Sequence, residues 1–172
     1  MFRPLETERL ILKSIGSDDR AFILNMFSDD AVNKYLFDAE PLQNLEEADE
    51  IIDFYIQPEP RNQHRWIIIR KEDNLKIGTC GFHCWDTNLS KVEIGYDLKK
   101  VFHGNGYMTE ALQELIEFAS NEMKVKTINA CIYTENVKSI KLVQKFGFIM
   151  TGTKSETFKG EQYLHHIYSL QR

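Results

Sequence analysis

The stretch VFHGNGYMTEAL, residues 101–112, constrains the fold of this chain more than any other. It sets Gly104 and Gly106 one residue apart. Directly behind them Met108, Ala111, Leu112, Leu115, Ile116 and Ala119 recur every three or four positions, with Glu110, Glu114 and Glu117 on the other side. That is the period of an amphipathic helix with one buried face. A helix N-terminus leaves unpaired N–H groups and about half a positive charge. Glycines at its mouth remove Cβ atoms and let an anion close on those donors. The same glycines also suit a strand-to-helix turn that needs positive φ, so the pattern alone admits a phosphate cradle or a plain bend. Two other phosphate loops are excluded. Position 109 is Thr where a dinucleotide Gly-x-Gly-x-x-Gly needs glycine, and no Gly-Lys-Ser or Gly-Lys-Thr follows.

Around the glycines, strand-like and helix-like segments alternate. LETERLILKS (5–14) puts Leu10 and Leu12 on one face and Ile11 on the other, the pattern of a first strand. A helix starts at Ser17-Asp18-Asp19, a short one covers 30–36, and NLEEADEIIDFYI (44–56) has helical spacing with acids in its first turn. Strands are predicted over 64–71, 75–85, 90–98 and 127–134, then a helix over 136–146 ended by Gly147. Two closing strands, 148–155 and 161–170, meet at the turn Lys159-Gly160. The order β-α-α-α-β-β-β-α-β-α-β-β, with no repeat or low-complexity linker, reads as one α/β domain spanning 1–172.

A net charge of −5 means the surface as a whole is not built for nucleic-acid phosphates, leaving room only for local basic patches, and weakly favours a cationic partner such as an amine. Three cysteines at irregular spacing, Cys80, Cys84 and Cys131, are no disulfide framework and point to a reducing cytoplasm. The N-terminus lacks an apolar stretch of signal-peptide length, and no segment reaches the length of a membrane span.

NVKSIKLVQKFGF (136–148) places Asn136 at the start of a helix and Ser139 one turn on. With VFHGNGYMTEAL before it, the chain resembles the GNAT superfamily of acetyl-CoA-dependent N-acetyltransferases. LETERLILK is similar to the opening strand, and VEIGYDL (92–98) to the fourth strand, of the branch that contains the ribosomal-protein N-terminal acetyltransferases. The resemblance runs nearly end to end, four motifs in order. It implies a central mixed, mostly antiparallel sheet of six to seven strands flanked by helices, splayed into a V between the fourth and fifth strands. It implies acetyl-CoA as cosubstrate, no metal, and a protein N-terminal α-amine, polyamine or other small amine as acceptor, with direct transfer in a monomer or homodimer. Neither nucleic acid nor membrane is a partner.

Carried over to this sequence, the resemblance puts the pyrophosphate on the amides around His103, Gly104, Asn105, Gly106, Tyr107 and Met108, with the Thr109 hydroxyl added. The backbone of Tyr96, Asp97 and Leu98 pairs with the pantetheine amides. Asn136 bonds the pantetheine arm, and Ser139 lies near the sulfur or the phosphates. Lys99, Lys100 and Lys141 are nearby cations. Two positions depart from the family. Val101 stands where Gln or Arg is frequent, and Val143 where many members carry a tyrosine as acid for the leaving thiolate. Ser139 is the substitute donor proposed for that missing acid. A thiol with a pKa near 8.5 already gives a tolerable leaving group.

Acyl transfer needs an unprotonated amine. At neutral pH that costs about 1 kcal/mol for an α-amine and roughly 4–5 kcal/mol for a lysine. Glu93 is the first candidate base, by the same resemblance. Glu156 is the second and Asp97 the third. By strand alternation Glu93 shares a face with Gly95 and Asp97, whereas Val92, Ile94 and Tyr96 face the other way. Cys80 and Cys84 share one strand face and His83 takes the other, with no fourth ligand, so no zinc site is expected. Cys131 reads as a small buried hydrophobe. His165 and His166 take opposite faces of the last strand. Trp66 and Phe82 read as core or cleft wall, Trp85 as the aromatic touching an acceptor, and Glu46, Glu47 and Glu50 as acids over the acceptor cleft or a solvated helix face.

Overall fold

The computed structural model describes residues 2–172. Its strands are β1 (Leu5–Glu6), β2 (Leu10–Ser14), β3 (His64–Arg70), β4 (Leu75–Asp86), β5 (Lys91–Leu98), β6 (Thr127–Tyr133), β7 (Ile149–Phe158) and β8 (Glu161–Gln171). The α-helices are α1 (Arg20–Phe27), α2 (Asp30–Asn33), α3 (Leu45–Tyr55), α4 (Tyr107–Asn121) and α5 (Val137–Lys145). All eight strands form one sheet in the order β1-β2-β3-β4-β5-β6-β8-β7. Neighbours run antiparallel everywhere except β5 and β6, which are parallel.

The sheet has one strand more than the upper expectation because the first predicted strand folds back on itself. The Thr7 amide donates to the Leu10 carbonyl at 3.0 Å, and the Leu10 amide donates to the Thr7 hydroxyl at 3.0 Å. This turn pairs Leu5 with Leu12. Leu5, Leu10 and Leu12 are all fully buried, although Leu5 lies an odd number of residues from the other two; the turn shifts the parity and returns Leu5 to the face of Leu12.

The sheet carries a core on each face. Alternation in β3 sends Trp66 and Ile68 into a cluster with Ala111, Leu115, Ile116 and Ala119 of α4, while Ile67 and Ile69 join Ile23 and Met26 of α1 and Ala48 and Ile52 of α3. The α3 start follows from its sequence. Asn44 Oδ1 accepts from the Glu47 amide at 2.9 Å, a cap worth about 1 kcal/mol, and Glu46 and Glu47 sit at the positive end of the helix. Among the described residues no helix is long and apolar enough to cross a membrane.

The parallel junction positions the site. β5 and β6 pair only from Lys91 to Glu93 against Thr127 to Asn129. Beyond Glu93, β5 stays bonded to β4 as far as Leu98 but, among the described residues, has no strand partner on its other edge. With eight strands the V lies between the fifth and sixth rather than the fourth and fifth, the same junction shifted by the added strand.

Candidate active site

A cleft of about 1340 Å³ opens from this V and is bounded by the glycine loop, α4 and α5. The Lys99 amide donates to the Ile77 carbonyl of β4 at 3.0 Å. By alternation the main-chain groups of Asp97 and Gly95 also point to β4, and those of Tyr96 and Ile94 point into the V. Of the three residues expected to pair with pantetheine, Tyr96 therefore offers both main-chain groups. Asp97 turns its backbone to β4, and the Leu98 carbonyl meets the His103 ring Nε2 at 2.9 Å.

At the end of the V the chain reaches α4. Gly104 and Gly106 both take positive φ, +79° and +78°. Gly106 is the N-cap and makes no side-chain cap, so no side chain caps the first-turn amides of α4. A Cβ built on Gly104 would meet nothing within 4 Å. The loop is braced from behind: Arg9 donates to the Asn105 carbonyl at 3.0 Å and to Glu110 at 2.6 Å. His103, Gly104, Gly106, Tyr107, Met108 and Thr109 all line the cleft. Asn105 does not, because its amide folds back to the carbonyls of Phe102 and His103. These features fit a diphosphate: uncapped donors, a helix dipole and no side chain in the way. Lys100 and Lys141 line this end together with Lys138 and Lys145. Lys99 instead bonds Asn25, on α1.

The N-terminus of α5 forms the facing wall. Asn136 Oδ1 accepts from the Ser139 amide at 3.3 Å, so this asparagine caps its own helix, and it lines the cleft. Ser139 Oγ lies 2.7 Å from the Tyr96 hydroxyl. Val143, one turn on, is buried in the core at 1% exposure.

The other half of the cleft is built from side chains. Glu93 is half-buried, and burial pushes its carboxyl up from the ordinary range while Lys154 pulls it down and Glu156 pushes it up. Glu156 lines the same space and pairs with Lys154 at 2.6 Å. The two best candidate bases therefore converge. The third does not compete with them. Asp97 is ion-paired at 3.1 Å with Arg65, which also donates to Thr79 at 3.1 Å. Burial pushes the Asp97 carboxyl up and Arg65 pulls against it. Above this pair the Tyr55 hydroxyl meets the His83 ring at 3.3 Å, and burial with Arg65 pushes His83 down to about 4.

Cys131 is not the buried hydrophobe expected. It stands half-buried in the cleft wall, its thiol pushed up to about 11 by burial and by Glu93. His165 lines the cleft and meets the Tyr163 carbonyl through Nδ1 at 2.9 Å. His166 takes the opposite face, beside Tyr168. Cys80 is fully buried, Cys84 is exposed, and among the described residues no three His, Cys, Asp or Glu side chains are placed to hold a metal.

Of the aromatic and acidic expectations, the one for Trp85 is corrected and the others resolve to one of their two alternatives. Trp66 and Phe82 are core at 0% exposure. Trp85 turns away from the cleft, edge-on to Phe2 at 6.1 Å, and lines a separate concavity with Pro58 and Arg61. Glu46, Glu47 and Glu50 do not line the cleft: Glu46 and Glu50 are on the exposed face of α3, and Glu47 serves the α3 cap. The segment that covers this half of the cleft is 31–38. There Phe37 stacks on Tyr163 at 3.9 Å and meets Tyr133 edge-on at 4.7 Å, with Tyr35 and Asp38 beside it. No spacing in the sequence joins these residues. Arg65 did leave a signal, a charge inside the apolar run HRWIIIR, where a buried cation demands a buried partner.

Comparison with known proteins agrees with this geometry. A family model described as an acetyltransferase (GNAT) domain matches residues 9–149. The uncharacterized N-acetyltransferase YoaA of Bacillus subtilis (strain 168) is 31% identical over 99% of this chain and 97% of its own length. RimL, described as a ribosomal L7/L12 alpha-N-protein acetyltransferase in complex with coenzyme A, superposes with a TM-score of 0.88 at 17% identity over 98% of both chains. A spermidine N-acetyltransferase from Vibrio cholerae in complex with CoA and spermine gives 0.80 at 19% identity, over 93% of this chain and 94% of that one. Matched by the family model over most of its length and by a full-length relative at 31% identity, this chain belongs to the GNAT acetyltransferases, acyltransferases that use acetyl-CoA.

Proposed function

We propose that the chain acts as one cytoplasmic domain that moves the acetyl group of acetyl-CoA directly onto a primary amine, held where the acidic, aromatic half of the cleft meets the V. The observation that carries this reading is the unpaired edge of β5 running into the uncapped N-terminus of α4. Pantetheine adds to that edge through Tyr96 and the diphosphate lies on the amides around Gly104 and Gly106. Main-chain donors facing the V polarise the thioester carbonyl. Glu93 takes the proton of the attacking amine, with Glu156 beside it, and Ser139 donates a hydrogen bond to the departing sulfur. Direct transfer is supported by the thiols. Cys80 and Cys131 are pushed up to about 12 and about 11, which leaves neither ionised as a nucleophile at neutral pH.

The acceptor half carries Asp38, Glu93, Glu135 and Glu156, which favours a cationic acceptor. A protein N-terminus in a basic peptide and a polyamine both meet that description. The solved relatives named for ribosomal-protein and spermidine acetylation are one of each. The test is release of free CoA from acetyl-CoA in the presence of peptides with N-terminal Ala or Ser, polyamines and aminoglycosides, with products identified by mass spectrometry. Amine-stimulated release with an acetylated product is expected. Tight acetyl-CoA binding without amine-stimulated release would replace this reading with an acyl-CoA-binding sensor.

A further inference from the structure

The Tyr96 phenol and the Ser139 hydroxyl lie 2.7 Å apart with one hydrogen between them, and either oxygen fits as donor. What decides the direction is where the second hydrogen can go. Tyr96 comes off the β5 face that packs toward the main core, and its side chain is largely enclosed there. Among the described residues its acceptors are two oxygens of one residue: Ser139 Oγ at 2.7 Å and the Ser139 carbonyl at 3.5 Å. If Ser139 donated, the enclosed phenol would keep only the long contact to a helical carbonyl, a poor exchange for a buried hydroxyl. If Tyr96 donates, every group is served, and the serine hydrogen is free to turn into the cleft that both residues line.

We infer that Tyr96 is a positioning residue whose phenol donates to Ser139 Oγ and thereby aims the Ser139 hydroxyl hydrogen at the sulfur of the departing coenzyme A. The inference rests on the reading of Ser139 as donor to that sulfur. In the step itself the amine nitrogen forms its bond to the acetyl carbon, the C–S electron pair goes to sulfur, and the amine proton goes to Glu93. Ser139 keeps its proton and shares it with the developing thiolate, which solvent later protonates. The chain Tyr96 O–H to Ser139 O–H to sulfur polarises in one direction, so each bond strengthens the next. Burial pushes the phenol up to about 12, which keeps it a donor across the working pH range. The arrangement also explains Val143. That position is closed into the core at 1% exposure, and the phenol approaches the same wall of the cleft from β5 instead of from α5.

The experiment is a double-mutant cycle on kcat, with coenzyme A affinity measured by calorimetry on each variant. Tyr96→Phe should lower kcat about tenfold, the worth of one neutral hydrogen bond, with affinity and the acetyl-CoA KM changed by less than about twofold. Ser139→Ala should lower kcat at least as far, and adding Tyr96→Phe to it should cost nothing more. Multiplicative losses, or a Tyr96→Phe effect confined to affinity, would overturn the inference. An unchanged kcat in Ser139→Ala would remove the serine's role. A silent Tyr96→Phe beside an impaired Ser139→Ala would remove only the tyrosine's. Should Tyr96→Phe fold poorly, a difluorotyrosine at position 96 keeps the shape and lowers the phenol pKa. The alkaline limb of kcat should then move to lower pH as the phenol loses its proton, and an unmoved limb would count against the inference.

Discussion

The two halves of the cleft are made of different material. The half proposed for the coenzyme is main chain: an unpaired strand edge from Ile94 to Leu98, two glycines at positive φ and the first-turn amides of α4. The acceptor half is side chain: Glu93 from β5, Tyr133 and Cys131 from β6, Glu156 from β7, His165 from β8, and Tyr35, Phe37 and Asp38 from the segment after α2. A surface of main-chain donors recognises what is common to every acyl-CoA. A surface of side chains, several from loops, changes without disturbing the sheet that presents it. On this division the two halves should fail independently.

The largest expected effect comes from the floor of the acceptor half. Arg65→Met leaves Asp97 charged, enclosed and without its partner, at a cost of about 3–5 kcal/mol in urea denaturation. Arg65→Met with Asp97→Leu should recover much of that loss, since a buried pair replaced by apolar groups is often neutral. In whatever fraction stays folded, coenzyme A affinity should remain within about twofold. A collapse of affinity there would show that the halves are one unit.

Next in size is the base. Glu93→Gln should lower kcat about a hundredfold while leaving coenzyme A affinity unchanged. Full activity would move proton removal to Glu156 or to water. The pH dependence gives a finer check. The base must be ionised, and burial holds Glu93 above the ordinary carboxyl range, so the acid limb of kcat/KM should lie above that of an exposed glutamate. Lys154 pulls Glu93 down, so Lys154→Met should move that limb to higher pH. A limb that moves down instead would assign it to another group.

The same division explains what could be read in the sequence. Helix and strand positions were legible because α4 repeats every three or four residues and β3 runs apolar between polar turns. The coenzyme half was legible because glycine is a local signature of positive φ, and Gly104 and Gly106 both have it. The turn at Thr7 was not, since no glycine or proline marks it; its one trace is that Leu5 falls out of step with Leu10 and Leu12. Neither was the wall of Phe37, Tyr133 and Tyr163, whose members come from three segments that only the closed sheet brings together. Trp85 misled for a related reason. A bulky residue at a strand end reads as cleft lining, but Trp85 meets Phe2 edge-on and lines a separate concavity.

The smallest effect separates a cradle from a bend at Gly104. A Cβ there meets nothing, so a substitution strains only the backbone, by about 1 kcal/mol for alanine at positive φ. Asparagine tolerates that conformation better than alanine and is also larger. The two properties give opposite rankings. Thermal stability should fall in the order Gly, Asn, Ala, because only φ matters to the fold. Coenzyme A affinity should fall in the order Gly, Ala, Asn, because the longer side chain stands between the amides and the diphosphate. If affinity follows the stability order instead, close approach of phosphate plays no part, and Gly104 serves only to turn the chain into α4.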